Sequence, residues 1–261
     1  MNEREKISRY FAASGAGEQA DRLLDLAAAV RAGRPYGVSA FMTPLAGQIA
    51  TTITAHFPDI TADEWGGYHG AERSKIMFRQ AGYAGETDWQ IAAVCAEWDP
   101  RYRLIGHRDV LGSLLGLGLE RDVFGDVIMR GATAQVVVDT PLAAYLLQEW
   151  KHIANIGVRV TPLPLTDIVP KEEVCKELRA TVASLRLDAI GAAGFGISRS
   201  KMAAAVAAEK VRVNWQRAKG PAQTLAVGDV ISFRGRGRVI LAELTGTSRK
   251  GRPGVRLERY L

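Results

Sequence analysis

Two stretches decide how the C-terminal part of this chain folds: Glu209-Lys210-Val211-Arg212-Val213-Asn214-Trp215, and Gly228-Asp229-Val230-Ile231-Ser232-Phe233-Arg234-Gly235-Arg236-Gly237-Arg238. Val211 and Val213 alternate with Lys210, Arg212 and Asn214, the period of two expected of a strand with one buried face. Gly228-Asp229 signals a turn, and Val230 to Phe233 follows as a second strand. Glycine lets a backbone approach an anion closely. If residues 234–238 are extended, the three alternate arginines point to one face.

Working outward, Ser198 is placed to cap a helix that starts at Arg199 and runs to about Glu209. Ser198-Arg199-Ser200-Lys201 then sets two cations and two hydroxyls at a helix N-terminus, where the dipole and free N–H groups favour phosphate. Gly194-Phe195-Gly196 breaks the chain from an earlier helix predicted over Val174 to Ile190, and Arg238 to Leu244 and Val255 to Tyr260 read as further strands. From Val182 to Leu261 there are 15 Lys/Arg against 5 Asp/Glu, a balance of +10 within a chain whose net charge is +6. The other residues carry 19 against 23, or −4. A split this large says that one end meets a polyanion. A capped helix end or an Arg-Gly-Arg turn is commonplace alone. Their combination in one basic segment points to an RNA backbone, and each phosphate neutralised would steepen the salt dependence of binding.

The candidate RNA-binding residues are Ser198, Arg199, Ser200, Lys201, Lys210, Arg212, Asn214, Lys219, Arg234, Arg236, Arg238, Arg249, Lys250 and Arg252; Arg256 adds to the same terminal stretch. Arg199 and Arg236 are expected to be exposed, so reversing either should cost little stability. Trp215 is either a stacking platform for a base or an ordinary surface or core tryptophan.

Apolar residues make up 47% and charged residues 24% of the 261, which argues against extended disorder. No apolar run approaches the ~20 residues of a membrane span, and the charged start Met1-Asn2-Glu3-Arg4 leads into no signal-peptide core. Cys95 and Cys175 have no metal-ligand spacing and form no disulfide framework, so the cytoplasm is the expected compartment.

Three domains are expected, at 1–84, 85–168 and 174–261. In the first, Ala20 to Val30 reads as a helix, Thr43-Pro44 opens another toward His56, and Ile60 to Tyr68 is a strand weakened by Gly66-Gly67. In the second, the order is strand Trp89 to Glu97, helix His107 to Leu119 with Asp109 as N-cap, strands Asp126 to Arg130 and Ala134 to Asp139, helix from Thr140 to Ile153, and strand Val158 to Leu163. That β-α-β-β-α-β order is the ferredoxin-like split pattern shared by RRM domains, although no aromatic RNP1-type run is present. Pro162, Pro164 and Pro170 stiffen the connection onward.

Several motifs are set aside. His107-Arg108-Asp109 lacks the glycine loop and Asp-Phe-Gly of a kinase. Gly112 to Gly118 has no Gly-Lys-Ser/Thr, and Gly194-Phe195-Gly196 lacks a third glycine and a preceding strand. His56, His69, His107 and His152 show no metal spacing. No metal, no cofactor and no membrane partner are expected.

Arg186-Leu187-Asp188, Ser198-Arg199-Ser200, Val211-Arg212-Val213-Asn214 and Gly228-Asp229-Val230-Ile231 resemble the S4 domain, a small αL-like RNA-binding fold. Glu209 and Trp215 stand where many S4 domains carry glycine. Together with Phe41-Met42-Thr43-Pro44, Gly66-Gly67-Tyr68, Ala71-Glu72-Arg73, the run from His107 to Gly118, Asp126-Val127-Ile128 and Ala134-Gln135, they are similar to the YlmH-like S4-domain proteins. The resemblance implies an α+β chain with an N-terminal α/β region, a middle RRM-like domain and a C-terminal S4 domain. It implies no catalytic activity, and it implies rRNA or tRNA binding on the large ribosomal subunit in translation quality control. The competing reading is an RNA-modifying enzyme targeted by its S4 module. A pseudouridine synthase needs a catalytic aspartate in its own large domain, and Asp188 lies inside the S4-like module; a methyltransferase needs a glycine-rich cofactor loop after a first strand, and none fits.

Overall fold

The computed structural model describes residues 2–101, 104–170, 175–248 and 251–260. The chain is α+β and divides into two compact units, Met1–Lys171 and Glu172–Leu261.

The first unit begins with helices α1 (Glu3–Ala12) and α2 (Gly17–Arg31). Helix α1 was not expected. Its signal is a capping box, in which the Asn2 side chain accepts from Glu5 N and the Glu5 carboxylate accepts from Asn2 N. Strand β1 (Tyr36–Val38), helix α3 (Leu45–His56), β2 (Ile60–Trp65) and β3 (Lys75–Gln80) follow, and the antiparallel sheet runs β1-β3-β2. Pro44 takes the N-cap position of α3, while the Thr43 hydroxyl donates to Gln19 at 2.9 Å instead of capping.

Next come β4 (Ile91–Glu97), α4 (His107–Leu115), β5 (Phe124–Arg130), β6 (Thr133–Asp139), α5 (Thr140–Glu149), a small hairpin of β7 (His152–Ile153) and β8 (Ile156–Gly157), and β9 (Arg159–Leu163). The sheet order is β5-β6-β4-β9 with every neighbour antiparallel, which is the split β-α-β-β-α-β topology. Val110, Leu114, Leu146 and Trp150 bury one face of this sheet over Val94, Ala96, Val136 and Val138. Phe41 and Ile168 cover the other over Ala93, Ile128 and Val137, with Tyr68 packed alongside. Asp109 is not the N-cap of α4, which is Gly106, but stands at N3 and caps the helix from there. Its carboxylate accepts from Gly106 N at 2.9 Å, three residues upstream. Ile153 lies in β7 rather than α5, because the chain leaves helical geometry at Trp150, whose indole donates to Ser113 Oγ at 2.9 Å.

Phe41, Tyr68, Glu72, Arg73 and Asp126, from four of the motifs of the first unit that carry the resemblance, meet in one polar lock. Asp126 accepts from Tyr68 Oη at 2.7 Å, Glu72 N at 2.7 Å and Arg73 N at 3.0 Å. Arg73 and Arg121 both donate to the Phe124 carbonyl, at 3.0 and 2.6 Å. Burial, with Arg73 beside it, pulls the Arg121 guanidinium down to about 10. Nearby, the buried Lys75 Nζ donates to Gln90 O at 2.9 Å and lies 2.8 Å from Asp139 Oδ1.

The second unit contains β10 (Cys175–Thr181), α6 (Leu187–Phe195), α7 (Arg199–Ala207), β11 (Val211–Val213), β12 (Gln216–Arg217), β13 (Val230–Phe233), β14 (Gly237–Thr247) and β15 (Pro253–Tyr260). Its six-stranded sheet runs β10-β15-β14-β13-β11-β12. The helix expected over Val174 to Ile190 is corrected here. Val174 lies outside the described residues, Cys175–Thr181 is a strand paired along its length with β15, and the helix starts only at Leu187. Lys176, Glu177, Leu178, Arg179 and Ala180 are good helix formers, and a long-range pairing overrides their propensity. Leu187, Ile190, Phe195, Met202 and Val206 of the helices pack with Val211, Val213, Ile231, Val239, Leu241, Val255 and Leu257 of the sheet. The contact is tight at Gly194, where a Cβ would stand 2.6 Å from Val239 Cγ1.

Candidate nucleic-acid interface

The buried residues of the second unit fix where its cations point. Val211 and Val213 face the helices, so Arg212 between them projects from the opposite face of the sheet. Arg212 stands opposite Arg217 on one side and Ser232 on the other; Ser232 stands opposite Arg238, and Arg238 opposite Tyr260. Directly paired residues share a face. Arg217, Arg212, Ser232, Arg238 and Tyr260 therefore form one row across five strands, with the Arg238 guanidinium 5.5 Å from the Tyr260 ring centroid. Arg217 was missed as a candidate. The Asn214-Trp215 turn was the available signal, since a two-residue turn sets Arg212 opposite Arg217.

The condition for a flat row of arginines over 234–238 is not met, because residues 234–236 turn and only Gly237 and Arg238 lie in a strand, at the start of β14. Arg234, Gly235 and Arg236 form the turn between β13 and β14, with Gly235 at φ 80° and Gly237 at φ 83°. Two left-handed glycines fold the segment back, so its arginines do not alternate on one face. They fan from the turn instead, beside Lys210, whose carbonyl accepts from Arg234 N at 2.9 Å. Arg236 also lies 5.6 Å from the Phe233 ring centroid. Lys210, Arg212, Arg234 and Arg236 are exposed. Among the described residues, none of the four has a carboxylate at ion-pair distance.

The second group of candidates sits in the helical layer. Ser198 caps α7 as expected, accepting from Lys201 N at 3.2 Å, and its hydroxyl lies 3.0 Å from Ser200 Oγ. Lys201 is exposed. Arg199 is half-exposed but not free: it donates to the buried Asp188 at 2.7 Å, and Arg186 binds the same carboxylate at 3.2 Å. Burial pushes the Asp188 carboxyl up, but hydrogen bonds from Arg199 and Arg186 outweigh it and hold the group below its ordinary value. The expectation that reversing Arg199 costs little stability is corrected on this ground.

The remaining candidates scatter. The Asn214 amide serves the fold, donating to Asp229 at 2.8 Å and accepting from Val230 N at 2.9 Å. Lys219 lies exposed in the loop after β12. Arg252 sits at the far end of the β14–β15 hairpin, eight positions from Tyr260, the partner of Arg238, or about 26 Å at strand rise. Arg249 and Lys250 lie outside the described residues. Arg256 belongs to an ion-pair network, at 3.1 Å from Glu243 and 2.6 Å from Glu258. Elsewhere, residues 85–167 carry 7 Lys/Arg against 11 Asp/Glu, and the sheet face on which RRM domains stack bases is the one covered by Phe41 and Ile168. The described residues contain no group of His, Cys, Asp and Glu able to hold a metal, and no helix among them is long and apolar enough to cross a membrane.

The family described as "Putative RNA-binding domain in YlmH" matches residues 85–167, and the S4 domain matches residues 185–231. The S4 match ends three residues before Arg234, so the cationic turn lies beyond it. Ribosome-associated protein quality control protein P2 of Bacillus subtilis (strain 168) is 32% identical over 222 residues, covering 84% of this chain and 85% of that protein. The solved structure of the cell division protein ylmH from Streptococcus pneumoniae superposes with a TM-score of 0.52 at 17% identity, over 60% of this chain and 95% of that one, a likeness of fold. With both domain matches in place and a relative this similar along most of its length, the chain belongs to the YlmH-like family of S4-domain RNA-binding proteins.

Proposed function

We propose that this chain is a non-enzymatic, cytoplasmic RNA-binding factor that holds rRNA or tRNA on the large ribosomal subunit during translation quality control. The observation that carries the reading is the end of the S4 sheet where Lys210, Arg212, Arg234 and Arg236 stand exposed beside Arg238 without carboxylate partners of their own for the first four. Cations held on a folded scaffold and left uncompensated suit a sugar–phosphate backbone. The Bacillus subtilis relative, named as ribosome-associated and as a quality control protein, supports the cellular setting. In this reading the chain has three domains, 1–84, 85–168 and 174–261. The last meets RNA first through the sheet end, then through Ser198, Ser200 and Lys201 at the start of α7. Lys219, Arg249, Lys250 and Arg252 add outlying contacts.

The test is sedimentation of the purified protein with ribosomal subunits at physiological salt. The expected result is co-migration with the large subunit, reduced when Arg234 and Arg236 are both changed to Glu. A protein confined to the top of the gradient would contradict the proposal. So would an rRNA modification that vanishes on deletion and is restored by the purified protein.

A further inference from the structure

The turn between β11 and β12 holds two consecutive residues in the left-handed region, Asn214 at φ 49° and Trp215 at φ 62°. A two-residue hairpin turn with both centres left-handed favours Asn followed by Gly. Asn214 fits that pattern, and both ends of its amide fasten the turn to Asp229 and Val230. Trp215 does not fit, because a bulky side chain at positive φ is strained. The hydrophobic core does not explain its presence. The core beneath the sheet recruits Ala218 and Phe233 from nearby positions, but Trp215 is not among the residues packed on it. Among the described residues the indole has neither a hydrogen-bond partner nor a ring partner, and it is partly exposed. The cations lie beside it: Arg212 Nη1 donates to the Trp215 carbonyl at 3.1 Å, and Arg217, which stands directly opposite Arg212, is held by an exposed pairing with Glu209 at 2.5 Å that a phosphate can replace.

We propose that Trp215 is a stacking platform for an unpaired base of the bound RNA, with Arg212 and Arg217 on the adjoining phosphates. The proposal rests on the RNA-binding reading and adds the class of RNA recognised. A strained residue outside the core cluster, whose indole has no hydrogen-bond or ring partner among the described residues, suggests function at its side chain. An aromatic side chain on a turn that also carries arginines suits a nucleotide whose base is free to splay, and a base inside a duplex offers no such face.

The test uses the full chain with Trp215→Gly and Trp215→Phe, titrated with a short oligoadenylate single strand and with a blunt RNA duplex of equal length. Glycine relieves the backbone strain, so the Trp215→Gly melting temperature should hold or rise. Its affinity for the single strand should fall about tenfold or more, the size of one base–aromatic stack, with duplex affinity unchanged. Trp215→Phe should keep most of the single-strand affinity. Unchanged single-strand binding by Trp215→Gly, equal losses on both probes, or a lowered melting temperature would overturn the stacking role. If Arg212→Glu and Arg236→Glu weaken both probes while Trp215→Gly weakens neither, only the stacking role fails. If the wild-type chain binds neither probe, the RNA-binding reading itself falls.

Discussion

The two basic clusters of the S4 unit are built in opposite ways. At the start of α7, Arg199 is joined with Arg186 to a buried carboxylate, so part of that cluster's charge is already answered inside the fold. At the sheet end, Lys210, Arg212, Arg234 and Arg236 stand on a turn and an outward strand face with no such partner among the described residues. Counting cations would rank the two alike. Following each cation to its partner ranks the sheet end as the stronger field for an external anion, and ranks Arg199 as a residue that also holds two helices together.

The largest expected effect is on binding at the sheet end. Changing Lys210, Arg234 and Arg236 together to Glu should lower RNA affinity on the order of a hundredfold, read by fluorescence anisotropy at fixed salt. The melting temperature should stay near wild type, since exposed substitutions usually shift stability by under about 0.5 kcal/mol. An intact affinity would erase the distinction between the clusters.

Next in size is Arg199→Glu, which sets a second carboxylate against Asp188. It should cost on the order of 2 kcal/mol of stability by urea unfolding. Arg236→Glu should cost almost none. If the two variants unfold together, the Asp188 pairing is not structural.

A smaller effect is the pH dependence of Asp188. Its folded carboxyl titrates below the ordinary value, so the stability it contributes is complete above about pH 4 and disappears as pH falls through its lowered folded value. Asp188→Asn should therefore be less stable than wild type by about 1 kcal/mol near neutrality, a modest figure because its arginine partners are half-exposed. That gap should close in acid. A gap that widened in acid would mean that Asp188 is held protonated.

How much of this was legible in the sequence depended on how local the cause was. Ser198 announced α7, and alternating Val211 and Val213 announced β11, because a cap and a period of two act within a few residues. Strand β10 was illegible. Its residues favour helix, and its partner Pro253–Tyr260 lies more than seventy positions away. Strand β3 was hidden by its burial, which runs unbroken over its first four residues and includes Lys75, so no alternation appears. Among the candidate contacts, basic character was plain but its compensation was not. The pairing of Arg199 with Asp188 spans eleven positions, and that of Arg256 with Glu243 crosses between strands. Whether the arginines of 234–238 form a flat row stayed open in the sequence, because their glycines permit an extended chain as readily as the turn found over 234–236.

The most direct measurement is the slope of log affinity against log salt for RNA binding, taken for the wild type, for Lys210→Ala with Arg234→Ala and Arg236→Ala, and for Ser198→Ala with Lys201→Ala. Each phosphate contact removed should lower the slope by about 0.7 to 0.9. The triple variant is predicted to lose roughly two units or more, and the helix-end variant about one or less. A triple variant with the wild-type slope, or a larger loss at the helix end, would contradict the assignment of the backbone contact to the sheet end.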